Sequence, residues 1–144
     1  MSKTDFTKEQ QEEIVGAIKA AELDTSGEVR VHIERKCKNE VLDRAAVVFE
    51  TLAMHKTELR NGVLFYLATN DHKFAILGDG GINAKVPENF WDHIKATMLE
   101  HFKKDEFTTG LSKGIAMAGE QLKKHFPYQS DDVNELSDDI SFGN

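Results

Sequence analysis

Gly62-Val63-Leu64-Phe65-Tyr66-Leu67-Ala68 is followed by Thr69-Asn70-Asp71-His72, then by Lys73-Phe74-Ala75-Ile76-Leu77 and an acidic, glycine-rich run, Gly78-Asp79-Gly80-Gly81. The first run is continuously apolar, the pattern of a central strand covered on both faces. Asn70 and Asp71 both tolerate positive φ and predict a two-residue hairpin turn. Phe74 to Leu77 then returns antiparallel, and the glycine-rich run closes the hairpin. With this pair fixed in the middle of the chain, the flanking segments must supply the rest of a sheet and its cover.

Upstream, Thr7 and Gln10 form a capping box, and Ile14, Ala17, Ile18 and Ala21 recur at helical spacing. That helix stops before Asp24-Thr25-Ser26-Gly27, a turn composition. Val29, Val31 and Ile33 alternate with Arg30, His32 and Glu34, a strand with one apolar face. Helical spacing returns from about Glu40 to Met54, with Val41, Ala45, Val48, Phe49 and Leu52 on one side. Downstream, Pro87 suits the first position of a helix carrying Phe90, Ile94, Met98 and Phe102. A last helix begins near Thr108 and ends at Pro127; its Gly110, Gly114 and Gly119 predict close approach to the sheet. The order is α-β-α-β-β-α-α, an α/β fold.

Two strands joined by a helix are parallel with a right-handed crossover, and the third runs antiparallel to the second. The starts of strands one and two and the end of strand three therefore share one edge of the sheet. Asp24, Ser26, Glu28, Asn61 and Asp79 collect there although they are far apart in sequence. The last helix ends at the same edge and brings the C-terminal tail with it. Carboxylates, an amide oxygen and loop carbonyls are the donors that hard cations prefer. Glycines let such carbonyls turn toward an ion. Asp79 has a plainer alternative reading as the cap of the turn that follows it.

The chain has 144 residues, 40% hydrophobic and 30% charged, which is one globular domain. Residues 1–127 are read as that domain and 128–144 as an acidic tail. The net charge is −7, and the tail contributes Asp131, Asp132, Glu135, Asp138 and Asp139 without a Lys or Arg. Val133, Leu136, Ile140 and Phe142 are spaced through it and predict partial docking on the body. No cationic cluster suits a phosphate backbone, so nucleic acid is not an expected partner. No apolar run is long enough to span or insert into a bilayer, and the N-terminus lacks a signal-like stretch. With a single cysteine, Cys37, these features predict a cytoplasmic protein.

Other chemistries find less support. Gly78-Asp79-Gly80 is half a dinucleotide fingerprint, but Asn83 stands where the third glycine belongs. His32, His55, His72, His93, His101 and His125 include no i, i+4 helical pair for zinc. Ser26 and Ser112 lack a strand-turn-helix elbow. Asp131 to Leu136 has no glycine for an EF-hand turn. His32 reads as solvated or packed under a helix, and Cys37 as a buried or loop cysteine.

Thr25-Ser26-Gly27-Glu28, Arg60-Asn61-Gly62-Val63-Leu64, Gly78-Asp79-Gly80-Gly81-Ile82 and Phe102 to Phe107 running into Gly110-Leu111 resemble, in order and spacing, the TPM domain. The resemblance covers about Thr7 to Phe126 and is strongest to a small soluble bacterial subgroup of marine Bacteroidetes, which shares the ending Asn134 to Phe142. It implies a three-layer α/β/α sandwich with a small, mixed, twisted sheet. It also implies a divalent cation, Ca²⁺ first with Mg²⁺ or Mn²⁺ as alternatives, in a loop cleft at one sheet edge. Carried onto this chain, the ligand candidates are Asp79 first, then Glu28, Asp24, Asn61 and the Gly80 carbonyl. Acid phosphatase activity, proposed for plant members, and a role as an interaction module serving a membrane or respiratory assembly are the alternatives. Arg60 stands where many members have an acidic residue, which weakens the phosphatase reading. No catalytic residue is assigned.

Overall fold

The computed structural model describes residues 6–23, 25–87, 89–128 and 136–143. The first helix, α1 (Lys8–Glu22), starts as expected: the Thr7 side chain accepts from the Gln10 amide while the Gln10 side chain accepts from the Thr7 amide. Strand β1 (Glu28–Glu34) follows, then α2 (Val41–Thr51), capped by the Glu40 carboxylate on the Leu42 and Asp43 amides. A 3₁₀ turn over Met54–Lys56 leads to β2 (Gly62–Ala68) and β3 (Lys73–Gly78). One helical turn, α3 (Gly80–Asn83), and two full helices, α4 (Asp92–Phe102) and α5 (Phe107–His125), complete the body. A short strand, β4 (Ser141–Phe142), ends the described chain.

The sheet is mixed, in the order β3-β2-β1-β4. β1 and β2 are parallel and β2 and β3 antiparallel, as the sequence pattern requires. β4 pairs parallel with β1 through His32↔Ser141 and Ile33↔Phe142, so the tail supplies a fourth strand. Val29, Val31, Ile33, Val63, Phe65 and Leu67 join residues of α1, α4 and α5 in the larger apolar cluster. Leu64, Tyr66, Ala68 and Ala75 join Ala45, Val48 and Phe49 of α2 in a second cluster. Because strand side chains alternate, the two clusters lie on opposite faces of the sheet.

Four expectations are corrected. The β2–β3 connection has four residues, not two, because Ala68 pairs with Lys73 and the positive φ falls on His72. The longer loop ties this hairpin to the segment after β1: Thr69 and Asn70 donate to the Glu34 and Arg35 carbonyls, and Asp71 accepts from the Cys37 amide at 2.7 Å. Pro87 does not open α4, which starts at Asp92; Phe90 instead packs edge-on against Trp91. Gly78-Asp79-Gly80-Gly81, read as the run that closes the hairpin, is the strand end and the start of α3, with Asp79 as its cap as the alternative reading had it. Lastly, the glycines of α5 serve contacts between helices. A Cβ at Gly119 would lie 2.8 Å from the Ala21 backbone of α1, and Gly110 and Gly114 face Phe102 and Met98 of α4.

Candidate functional site

The predicted edge exists. Glu28 pairs with Gly62, Asp79 donates its amide to the Gly62 carbonyl at 3.0 Å, and the Glu28 amide donates to the Asn61 carbonyl at 3.3 Å. Glu28, Asn61 and Asp79 thus stand at the ends of three adjacent strands. α5 ends beside them, where Ser26 donates to the Phe126 carbonyl and Thr25 bridges to Pro127. Asp24 lies outside the described residues.

Position and availability differ. Arg60 grips both oxygens of Asp79, Nη2 to Oδ1 at 2.7 Å and Nε to Oδ2 at 2.8 Å, and the Gly80 amide adds a bond at 2.7 Å. Burial alone would raise the Asp79 carboxyl, but these bonds hold it below the ordinary carboxylate range. The acidic residue at the end of β3 is therefore already neutralised, and it lines a shallow crevice of about 340 Å³ with His55 and Arg60. The Gly80 carbonyl accepts from Ala84 at 3.0 Å, within α3. No described glycine has positive φ. Gly81 is needed for space, because a Cβ there would run into the Leu59 and Arg60 carbonyls. Asn61 donates from Nδ2 to the Ser26 carbonyl at 3.0 Å and ties two of the edge segments together. Glu28 is 3% exposed and accepts from the Leu136 amide at 2.6 Å, so it anchors the returning tail.

That tail contact reveals two carboxylates not singled out in sequence. Glu22, the last residue of α1, accepts from the Val29 amide at 2.9 Å and hydrogen-bonds the Asp138 side chain. Two carboxyl groups bond to each other only by sharing a proton. Burial, then the Asp138 contact and the charges of Asp138 and Glu28, push the Glu22 carboxyl up to about 9. Arg30 reaches toward the same segment, with Nη2 3.4 Å from the Asp139 carbonyl. Glu22 was visible to the edge argument, since it ends α1 just before the turn. Asp138 was visible only as part of an acidic tail whose path the sequence does not specify. Among the described residues, no three His, Cys, Asp or Glu side chains are gathered closely enough to hold one metal ion as they stand.

The other end of β1 carries a second polar group. Arg44 of α2 meets Glu34 in a two-point pair, Nε to Oε2 at 2.9 Å and Nη2 to Oε1 at 2.8 Å. The Tyr66 hydroxyl also donates to Glu34 Oε2, and His32 Nε2 lies 3.0 Å from Oε1. His32 Nδ1 in turn meets the Ser141 hydroxyl at 2.8 Å. Burial would raise Glu34, but the bonds from Arg44, Tyr66 and His32 outweigh it and bring its carboxyl to about 2. Burial lowers His32, against the pull of Glu34. Alternation in β1 predicted the polar face and left His32 as solvated or packed, but it did not show that Glu34 would be enclosed; their exposures are 3% for Glu34 and 6% for His32.

With this frame in place, residues 3–121 match the family model described as the TPM domain. The chain belongs to the TPM domain family. A similar solved structure is the BA42 protein from the psychrophilic bacterium Bizionia argentinensis, 46% identical, with a TM-score of 0.90 over 96% of this chain and 95% of that one. Two more distant structures share the TPM-like fold alone. The N-terminal domain of a P. gingivalis protein is 18% identical, with a TM-score of 0.69 over 86% of this chain and 83% of that one. The N-terminal domain of the cg2496 protein from Corynebacterium glutamicum is 9% identical, with a TM-score of 0.67 over 83% of this chain and 76% of that one. Among curated proteins there is no match. No described helix is long and apolar enough to cross a membrane.

Proposed function

We propose that this TPM domain binds a divalent cation, Ca²⁺ in the first place with Mg²⁺ or Mn²⁺ as alternatives, at the acidic edge where α1 ends, β1 begins and the tail returns. The observation that supports this reading is the Glu22–Asp138 pair, two carboxyls in hydrogen-bond contact with Glu28 close enough to raise Glu22 further. A proton relieves that repulsion in the free chain, and a divalent ion relieves it more fully at a pH where carboxylates are otherwise ionised. Asp79 is the weaker ligand, because an ion must first displace Arg60.

With no trio of carboxylates gathered among the described residues, the ion keeps water and backbone oxygens in its shell. Few charged ligands mean weak binding, with a dissociation constant of about 0.1–1 mM. The protein's part is to hold Glu22 through the Val29 amide and Glu28 through the Leu136 amide, which fixes the carboxylates on separate elements. The phosphatase alternative lacks a comparable observation, since Arg60, the side chain that could hold a phosphate, is committed to Asp79.

The test is a titration with CaCl₂ and with MgCl₂ at neutral pH, following backbone amide shifts. Val29 and Leu136 are expected to move first, and Glu22→Gln to abolish the movement. Movement centred on Gly80 and Arg60 would return the site to Asp79, and silence at all four amides would overturn cation binding.

A further inference from the structure

The family match ends at residue 121, before the segment that supplies β4. Apart from β4, β1 is the last strand of the sheet and is seven residues long. A strand edge of that length is a template for pairing with another extended chain. Here it is covered by the chain's own residues 136–143, which register with β1 at only two positions. We infer that the β1 edge is a strand-addition site for an extended protein segment that presents a hydroxyl residue, an aromatic residue and a glycine in succession, parallel to β1, and that the tail is its displaceable resident.

The resident shows what the edge recognises. Ser141 places its hydroxyl on His32 Nδ1 at 2.8 Å, and the His32 ring is held from its other nitrogen by Glu34. Arg44 and Tyr66 fix Glu34 in turn, so the hydroxyl meets a rigidly held ring nitrogen rather than a mobile surface group. Phe142 packs against the larger apolar cluster. Gly143 donates to the Ile33 carbonyl at 2.8 Å, and a Cβ there would strike the Glu34 carboxylate and lie 2.9 Å from His32 Nε2. The hydroxyl and the glycine are thus read by the His32–Glu34 pair and the aromatic by the apolar cluster, and the main chain supplies the rest. This is strand addition with side-chain pockets for specificity. Ser141, Phe142 and Gly143 themselves are only partly buried, so the strap lies on the domain rather than within it. A local segment competes at an effective concentration of about millimolar, which keeps the edge closed to weak outside partners.

The inference does not rest on the cation reading, whose Glu22 packs against the start of β1, although that reading uses Leu136 and Asp138 of the same tail. Its test uses the full-length chain carrying Gly143→Val, with Phe142→Asp as a second variant; both changes lie in the strap. The probe is a synthetic peptide with the sequence of residues 136–144. The variant is expected to bind the peptide at least tenfold more tightly than the unaltered chain does, with amide shifts that run along β1 and include His32 and Ile33. A peptide carrying the Gly143→Val change is expected not to bind. Equal binding by variant and unaltered chain, no binding by either variant, or equal binding of the two peptides would overturn the proposal.

Discussion

Glu34 ends β1, Glu22 at the end of α1 packs against the start of that strand, and the returning tail reaches both. Glu34 is enclosed with a guanidinium, a phenol and an imidazole around it, and its carboxyl falls to about 2. Glu22 is partly enclosed with other carboxylates around it, and its carboxyl rises to about 9. Burial pushes both in the same direction, upward, so the difference comes from the neighbours. A carboxylate buried with its own arginine is a finished piece of structure. A carboxylate buried among carboxylates is unfinished and holds either a proton or a cation.

Removing the arginine attacks the contrast most strongly. Arg44→Met leaves Glu34 enclosed without its main partner. The loss is expected to be about 2–3 kcal/mol in a chemical denaturation experiment, at the low side for a buried pair because the Arg44 side chain is a third exposed. The Glu34 carboxyl is expected to rise toward the behaviour of Glu22, which a carboxyl NMR titration reads.

The next effect is on pH dependence, where the two residues pull in opposite senses. Glu34 is depressed below its usual 4.5, so its contribution is complete above about 4.5 and is lost as pH falls toward 2. Glu22 is raised above 4.5, so the folded chain keeps a proton that the unfolded chain releases. Its contribution is lost as pH rises from about 4.5 to about 9. Stability is thus expected to slope downward between about pH 4.5 and about pH 9, by no more than about 1.4 kcal/mol per pH unit from this one proton. Glu22→Gln keeps an oxygen for the Val29 amide and is expected to flatten that slope while leaving the acid side unchanged.

Tyr66→Phe removes one of the bonds on Glu34 and leaves Arg44 in place, so a loss of about 1 kcal/mol is expected by thermal or urea unfolding. The smallest effect belongs to Asp138→Asn. It is expected to change stability at neutral pH by only a few tenths of a kcal/mol. It should nonetheless lower the Glu22 titration midpoint, because a neutral amide replaces the charge beside it.

The two ends of β1 also differ in how much the sequence disclosed. The parallel pair, the antiparallel return and the shared edge followed from apolar periodicity and one hairpin, and they placed Glu28, Asn61 and Asp79 correctly. The partner of each side chain did not follow. Arg60 lies 19 residues before Asp79 and Arg44 lies 10 after Glu34, and no local rule joins either pair. Arg60 was read as a departure that weakens the phosphatase reading, whereas its positive φ and two-point grip make it the counter-ion of Asp79. The tail was the largest gap. Its spaced apolar residues predicted docking, but a two-residue strand contributes too little pattern to reveal a register or a partner strand.

The central claim is that the carboxylates around Glu22 hold a divalent cation. Its most direct measurement is unfolding at pH 8 with and without about 10 mM CaCl₂ at matched ionic strength, in the unaltered chain and in Glu22→Gln. With a dissociation constant of about 1 mM, Ca²⁺ is expected to stabilise the unaltered chain by about 1.4 kcal/mol and the variant by much less. Equal stabilisation of both chains, or none in the unaltered chain, would contradict the account.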